Sequence, residues 1–131
     1  MLTRTHTLQL AAPKDRAFAF LAAIDNLPKW ATGFCRQLKL VEGKHKVVTP
    51  EGEIFFRIEA DPASGLIDMY GGPSEDRMAH WPARIVATPD GGSLLIFTAF
   101  QYPGVSEEKF AAQFTALAHE FELVRRLTEA A

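Results

Sequence analysis

Five polar side chains in the second half of the chain occur among apolar, strand-like segments and could orient the polar group of a bound molecule. They are Asp68, Tyr70, Arg77, Thr98 and Tyr102. A cavity holds a small ligand mainly through apolar contact, and a few polar groups fix its orientation. In such a cavity, Arg77 would pair with a ligand carboxylate or phenolate. The alternatives are that Asp68 and Arg77 form a structural ion pair or rim charges, and that both tyrosines mark the edge of the core.

His80 and Asp68 are the candidate groups for proton transfer. The pKa of histidine ordinarily lies near neutral pH, so a histidine in a cavity can act as general acid or base. Pro82 lies inside a predicted strand and has no N–H to donate, which predicts a β-bulge near Trp81 and Pro82. The bulge would turn His80 inward and Arg77 outward. A lone histidine on a strand is otherwise a structural residue.

Patterns typical of other catalytic and metal sites are absent from the sequence. The four histidines lack metal-binding spacing, and Leu123 stands where a zinc-binding helix beginning at His119 would need its second histidine. Gly71-Gly72-Pro73 lacks the lysine of a phosphate-binding loop, and the serines lie in turns or caps rather than in a nucleophile elbow. The sequence predicts neither a metal nor a cofactor.

Length and composition predict a single domain over residues 1–131. The formal net charge of −2 gives no basic surface for nucleic acid. No apolar run approaches the roughly 20 residues that a membrane-spanning helix needs. The only cysteine, Cys35, is compatible with a reducing compartment. We therefore expect a cytoplasmic protein with no nucleic-acid partner and no membrane span.

Seven strand candidates, separated by turn residues or short helices, supply the framework for the candidate site. Because the last six are joined by short turns, we expect them to pair antiparallel in a meander. Two short helices, from Pro13 to Ile24 and from Asp25 to Trp30, follow the first strand. The predicted strands are His6–Ala12, Phe34–Val41, Lys44–Thr49, Glu53–Ala60, Leu66–Tyr70, Arg77–Thr88 and Ser93–Tyr102.

The last quarter of the chain predicts one long amphipathic helix, which begins after a capping Ser106. A curved sheet that grips such a helix can enclose a cavity. The apolar positions recur at spacings of four and three, which place them on one face: Phe110, Phe114, Leu117, Phe121 and Val124.

The element order resembles that of the helix-grip proteins of the SRPBCC superfamily, also called START-like or Bet v 1-like, and in particular its small bacterial polyketide cyclase/dehydrase-like members. The similar segments are Ala11-Ala12-Pro13 before Phe18-Ala19-Phe20-Leu21, the Asp25-Asn26-Leu27-Pro28-Lys29-Trp30 corner, the Pro89-Asp90-Gly91-Gly92 hairpin and the terminal helix. The superfamily includes lipid and hormone binders, aromatase/cyclases and oxygenase subunits. The resemblance implies an α+β helix-grip fold (β-αα-β6-α), in which a seven-stranded antiparallel sheet curves around the C-terminal helix. It also implies a cavity for a hydrophobic ligand and leaves the reaction open.

Strand register predicts which residues face this cavity. Pairing Thr88 with Ser93 and Tyr70 with Arg77 places one set on the concave face: Ile54, Phe56, Ile58, Leu66, Asp68, Ala79, Trp81, Ala83, Ile85, Leu94, Ile96, Thr98 and Phe100. We predict a ligand site formed by Phe56, Trp81 and the polar residues named first, with Trp30 and Phe114 on the helical side. Trp30 also fits the role of a packing anchor at the helix corner.

The same register predicts an apolar outer face, which favours a homodimer formed through the sheet. The expected function is binding of a small hydrophobic ligand, such as a lipid, an aromatic or a polyketide-like molecule. The alternatives are a polyketide cyclase/dehydrase-type enzyme and a protein-interaction module with a filled cavity. Cavity volume and convergent ionisable groups distinguish the three. The outer apolar set would be Phe55, Ile67, Met69, Leu95 and Phe97.

Overall fold

A seven-stranded antiparallel sheet and a long C-terminal helix form the framework of the protein, in a computed structural model that describes residues 1–130. The strands are β1 (Thr3–Leu10), β2 (Gln37–Val41), β3 (Lys44–Thr49), β4 (Gly52–Asp61), β5 (Leu66–Ser74), β6 (Arg77–Ala87) and β7 (Ser93–Phe100). The helices are α1 (Lys14–Ala22), α2 (Leu27–Trp30) and α3 (Glu107–Glu129), with a 3-10 turn at Ile24–Asn26. The strand order in the sheet is β1-β7-β6-β5-β4-β3-β2. The predicted α+β architecture, meander and helix-grip fold are confirmed.

Helix α3 begins where the sequence predicts, because the Ser106 side chain accepts a hydrogen bond from the Lys109 backbone N–H at 3.1 Å. Its apolar stripe faces the sheet, with Phe110, Phe121 and Val124 buried. Glu120 is also buried on this stripe, where a carboxylate is not expected.

The concave face differs from the prediction on β5 and β7. Ser93 pairs with Ala87 rather than Thr88, and Tyr70 pairs with His80 rather than Arg77. Because side chains alternate along a strand, a register error of an odd number of residues exchanges the two faces. The predicted inward residues of β4 and β6 are therefore correct. Those of β5 are wrong, and so are those of β7 except Phe100, which lines the cavity at the end of its strand. The residues on the concave side are Ile67, Met69, Gly71, Leu95 and Phe97, and those on the outer side are Leu66, Asp68, Tyr70, Leu94, Ile96 and Thr98.

The predicted bulge at Pro82 is also wrong in position. Pro82 lies opposite Asp68 in a regular ladder with β5, and the irregularity falls between Gly71 and Ser74. At this bulge a Cβ on Gly72 would lie 2.1 Å from the Arg77 carbonyl oxygen, so only glycine fits. Pro82, which has no N–H to donate, lies instead next to the point where the pairing of β6 with β7 stops. There the ladder with β7 runs only from Ala83 to Ala87.

Candidate functional site

A cavity of about 670 Å³ lies between the concave face of the sheet and α3. Apolar and aromatic side chains from the helical side and from the sheet form most of its wall. Those from the helices and the loop after α2 are Leu27, Trp30, Phe34, Phe110, Phe114 and Leu117, and those from the sheet are Ile54, Phe56, Met69, Trp81 and Phe97.

Three aromatic rings pack together in one part of this wall. The centroid of the Phe34 ring lies 5.7 Å from that of Phe56 and 5.9 Å from that of Trp81. Gly71 makes room for them, because a Cβ at this position would lie 3.0 Å from Phe56 Cδ2 and 3.3 Å from Trp81 Cζ3. The two side chains thus cover the bare backbone of β5 and give the cavity an aromatic floor.

The predicted ligand-binding residues divide between the cavity and other surfaces. Trp30, Phe56, Trp81, Tyr102 and Phe114 line the cavity. Their contact with a ligand stays a prediction.

Three of the predicted polar contacts, Asp68, Tyr70 and Thr98, lie on the outer face of the sheet. Arg77 is exposed at the start of β6, outside the cavity lining. The prediction that these side chains orient a ligand in the cavity is wrong, and the cause is the register of the β5–β6 and β6–β7 hairpins.

The two predicted catalytic residues do meet, but they meet outside the cavity. His80 Nε2 lies 2.9 Å from Asp68 Oδ1. Tyr70 stacks on the His80 ring with centroids 4.5 Å apart, and the Arg57 guanidinium lies 4.3 Å over the Tyr70 ring. This cross-strand cluster supports the structural alternative for Asp68, with His80 rather than Arg77 as its partner. The idea that His80 becomes the base of the cavity is wrong.

Glu120 is a buried ionisable residue of the cavity that the sequence prediction missed. Its side chain is 5% exposed, and Oε2 accepts hydrogen bonds from the backbone N–H groups of Gly33 at 3.0 Å and Phe34 at 3.2 Å. Burial raises the pKa of the Glu120 carboxyl, and these two hydrogen bonds oppose the rise. A signal was present in the sequence, because Glu120 falls three residues after Leu117 and four before Val124, on the apolar stripe.

The opposite end of the cavity is its polar mouth. Glu51, in the turn between β3 and β4, forms an ion pair with Lys109 in the first turn of α3. Both residues line the cavity. Since both side chains are exposed, the pair adds little stability, and its geometric role is to connect the hairpin to the helix across the opening.

Tyr102 closes the part of the sheet where β6 and β7 are not paired. Its hydroxyl accepts a hydrogen bond from the His80 backbone N–H at 2.7 Å. Tyr102 and Val105 line the cavity on one side and a surface hollow of about 320 Å³ on the other. These two side chains therefore separate the interior cavity from the surface.

Two further features concern metals and membranes. Within residues 1–130, no three His, Cys, Asp or Glu side chains are grouped so that they could hold a metal ion. No helix in this described part of the chain combines the length and the hydropathy needed to cross a membrane.

No protein-family model and no curated protein matches this sequence. Solved structures match it in fold. Ara h 8.0201 has a TM-score of 0.70 at 16% identity, with 99% of each chain covered. The Zhui aromatase/cyclase from Streptomyces sp. R1128 has a TM-score of 0.74 at 17% identity, covering 98% of this chain and 93% of that one. The Aha1 dimer from Colwellia psychrerythraea has a TM-score of 0.74 at 15% identity, covering 98% and 97%. At these identities the likeness shows the fold alone, which is the Bet v 1-like, SRPBCC-type fold.

Proposed function

We propose that this protein binds a small hydrophobic molecule, such as a lipid, an aromatic or a polyketide-like compound, between the sheet and α3. The observation that carries the proposal is the cavity of about 670 Å³ with its mainly apolar wall. Ligand sites commonly span about 300–1,000 Å³, and protein interiors otherwise contain few voids larger than a water molecule. A space of this size is therefore suited to a ligand.

The cyclase or dehydrase alternative has less support. It requires proton-transfer groups inside the cavity, whereas Asp68, His80 and Arg77 lie outside it. The ionisable side chains along the described wall are Glu120, Tyr102 and the mouth residues Glu51, Glu53 and Lys109. The similarity to an aromatase/cyclase at 17% identity concerns the fold. The third alternative, an interaction module with a filled cavity, does not fit the open volume.

A pair of substitutions on α3 tests the binding proposal. Both alanines are exposed, but Ala116 lines the cavity and Ala118 lies outside the lining. The uncharged probe N-phenyl-1-naphthylamine should bind the wild-type protein saturably, with an increase in its fluorescence. Ala116→Phe should weaken this binding at least about tenfold by filling the cavity, and Ala118→Phe should leave it unchanged. Absence of saturable binding, or equal effects of the two substitutions, would refute the proposal. Native mass spectrometry of protein purified from its own host would then search for a retained ligand.

We also propose that the protein forms a homodimer and is located in the cytoplasm. The apolar patch predicted for the outer face needs correction, because Ile67, Met69, Leu95 and Phe97 are buried in the core. The outer face carries Phe55, as predicted, together with Leu66, Leu94 and Ile96. One protein of the same fold was solved as a dimer. Light scattering should detect a dimer, and Ile96→Glu should dissociate it. A monomer at high concentration would refute the dimer, and cell fractionation tests the location.

A further inference from the structure

Glu120 is a carboxyl group at one end of a mainly apolar cavity. The ion-paired mouth residue Lys109 lies eleven positions earlier on the same helix, about 16 Å away at 1.5 Å per residue. Leu117, one turn of α3 before Glu120, and Phe34, whose backbone N–H donates to Glu120, also line the cavity. Burying a polar group among such neighbours costs free energy unless it is hydrogen-bonded.

The two backbone hydrogen bonds fix the orientation of this carboxyl. Both Gly33 and Phe34 donate to Oε2, and they leave Oε1 unused. No sealed side-chain nitrogen or oxygen within residues 1–130 lacks a partner, so Oε1 is not enclosed by protein. Since Glu120 lines the cavity, we infer that Oε1 is open to it. Glu120 therefore presents one oxygen to whatever occupies the cavity.

The protonation state of the Glu120 carboxyl determines which ligand groups can bind to Oε1. Oε2 accepts hydrogen bonds from two N–H groups, so the proton of the neutral acid lies on Oε1. In the neutral form Oε1 therefore donates a hydrogen bond to the ligand, and in the ionised form it accepts one. An alcohol or phenol both donates and accepts, and so satisfies either form. A ligand carboxylate only accepts, so it suits the neutral acid alone, and beside ionised Glu120 it places two like charges in an apolar site. A ligand ammonium would pair with the ionised form, but it must first lose its hydration in an apolar cavity.

We propose that Glu120 is a specificity-determining residue that anchors an alcohol or phenol group of the ligand at the inner end of the cavity and, in its ionised form, excludes a carboxylate there. This inference rests on the proposed binding function, because it requires a ligand in the cavity. Glu120 also acts on the shape of the site, since its bond to Phe34 holds the loop whose aromatic ring packs on Phe56 and Trp81.

Competition with ligands of one chain length tests the proposal. At pH 8, 1-decanol, decanoate and decylammonium would each displace N-phenyl-1-naphthylamine from the wild-type protein, Glu120→Gln and Glu122→Gln. The glutamine at position 120 can still accept the hydrogen bonds from Gly33 and Phe34, and its amide nitrogen then faces the cavity as a donor. Glu122 is exposed on the same helix and outside the cavity lining, so Glu122→Gln controls for the loss of one charge.

We expect the wild-type protein to bind decanol at least about tenfold more tightly than decanoate, which corresponds to the lower range of a hydrogen bond to a charged group. Glu120→Gln should tighten decanoate binding by a similar factor, and Glu122→Gln should leave the preference unchanged. Equal wild-type affinities, tightest binding of decylammonium, or equal shifts in the two variants would overturn this inference while leaving the binding function intact. If neither the probe nor any competitor binds, the proposed function itself fails.

Discussion

Replacement of Phe121 by alanine should lower the free energy of unfolding by about 3–5 kcal/mol, the range for deleting a buried aromatic side chain. Phe121 is 3% exposed, and its ring lies 5.2 Å from the Phe97 ring and 5.3 Å from the His6 ring, both edge-on. Such aromatic pairs contribute roughly 0.5–1.5 kcal/mol beyond their buried area, which favours the upper half of the range. The void would lie where α3, β1 and β7 meet.

Phe114 provides the contrast within the same stripe. It is half-buried and lines the cavity, so its truncation enlarges an existing space and removes fewer contacts. We expect Phe114→Ala to cost about 1–2 kcal/mol, since only part of the ring leaves water on folding.

Urea denaturation followed by circular dichroism and tryptophan fluorescence measures these differences by linear extrapolation, provided that the slope m is unchanged. Leu127→Ala serves as the control, because Leu127 lies on α3 but is 39% exposed, and its loss should cost under about 1 kcal/mol. Equal costs for Phe121→Ala and Leu127→Ala, or a larger cost for Phe114→Ala than for Phe121→Ala, would show that α3 does not close the core as described.

Three further substitutions test single features. Burial raises the folded-state pKa of Glu120 above its unfolded value, so the native state binds more protons between the two pKa values and loses stability as pH rises through that window. Glu120→Gln removes this loss. The free energy of unfolding of the variant minus that of the wild type should therefore increase from pH 4 to pH 8, by about 1.4 kcal/mol per unit by which the pKa is raised. A difference that stays constant with pH in urea melts would contradict this. Gly71→Ala should cost about 1–3 kcal/mol, because its Cβ would lie 3.0 Å from Phe56 Cδ2, and an unchanged unfolding midpoint would argue against the crowding. Tyr102→Phe removes the acceptor of the His80 N–H and should cost about 1–3 kcal/mol, with faster hydrogen exchange at that amide; unchanged exchange would mean that the bond is not formed in solution.

The sequence predicts α3 and the order of the strands well, because both depend on local signals. A stripe spaced by three and four residues, a capping Ser106 and a series of turn residues each act within a few positions. Strand register is less local. The turn before β7 spans residues 88–92, one residue more than predicted, and both faces of β7 are apolar, with Leu94 and Ile96 on one side and Leu95 and Phe97 on the other. Hydrophobic alternation therefore could not correct the error.

The polar part of the candidate site was missed for a related reason. The partners of Glu120 are backbone N–H groups of the loop after α2, and the types of the residues in a loop do not show where its amides point. The apolar lining was easier to predict. Phe56 and Trp81 lie on strands whose inward faces were correct, and Phe114 lies on the α3 stripe.

The ladder between β6 and β7 covers only part of the two strands and leaves an unpaired stretch in the sheet. Within the sheet, β1 and β7 join the other five strands through the ladder of Ala83–Ala87 with Ser93–Phe97. In the unpaired stretch beyond this ladder, which we call the seam, the Tyr102 hydroxyl bonds to the His80 backbone. Opening the seam breaks the hydrogen bonds between the Tyr102 hydroxyl and the His80 backbone and leaves the ladders intact, so it costs far less than global unfolding. If the proposed ligand exchanges through this seam, its rate would follow this local opening rather than the free energy of global unfolding. Release should be faster in Tyr102 variants and unaffected by substitutions that only weaken the core.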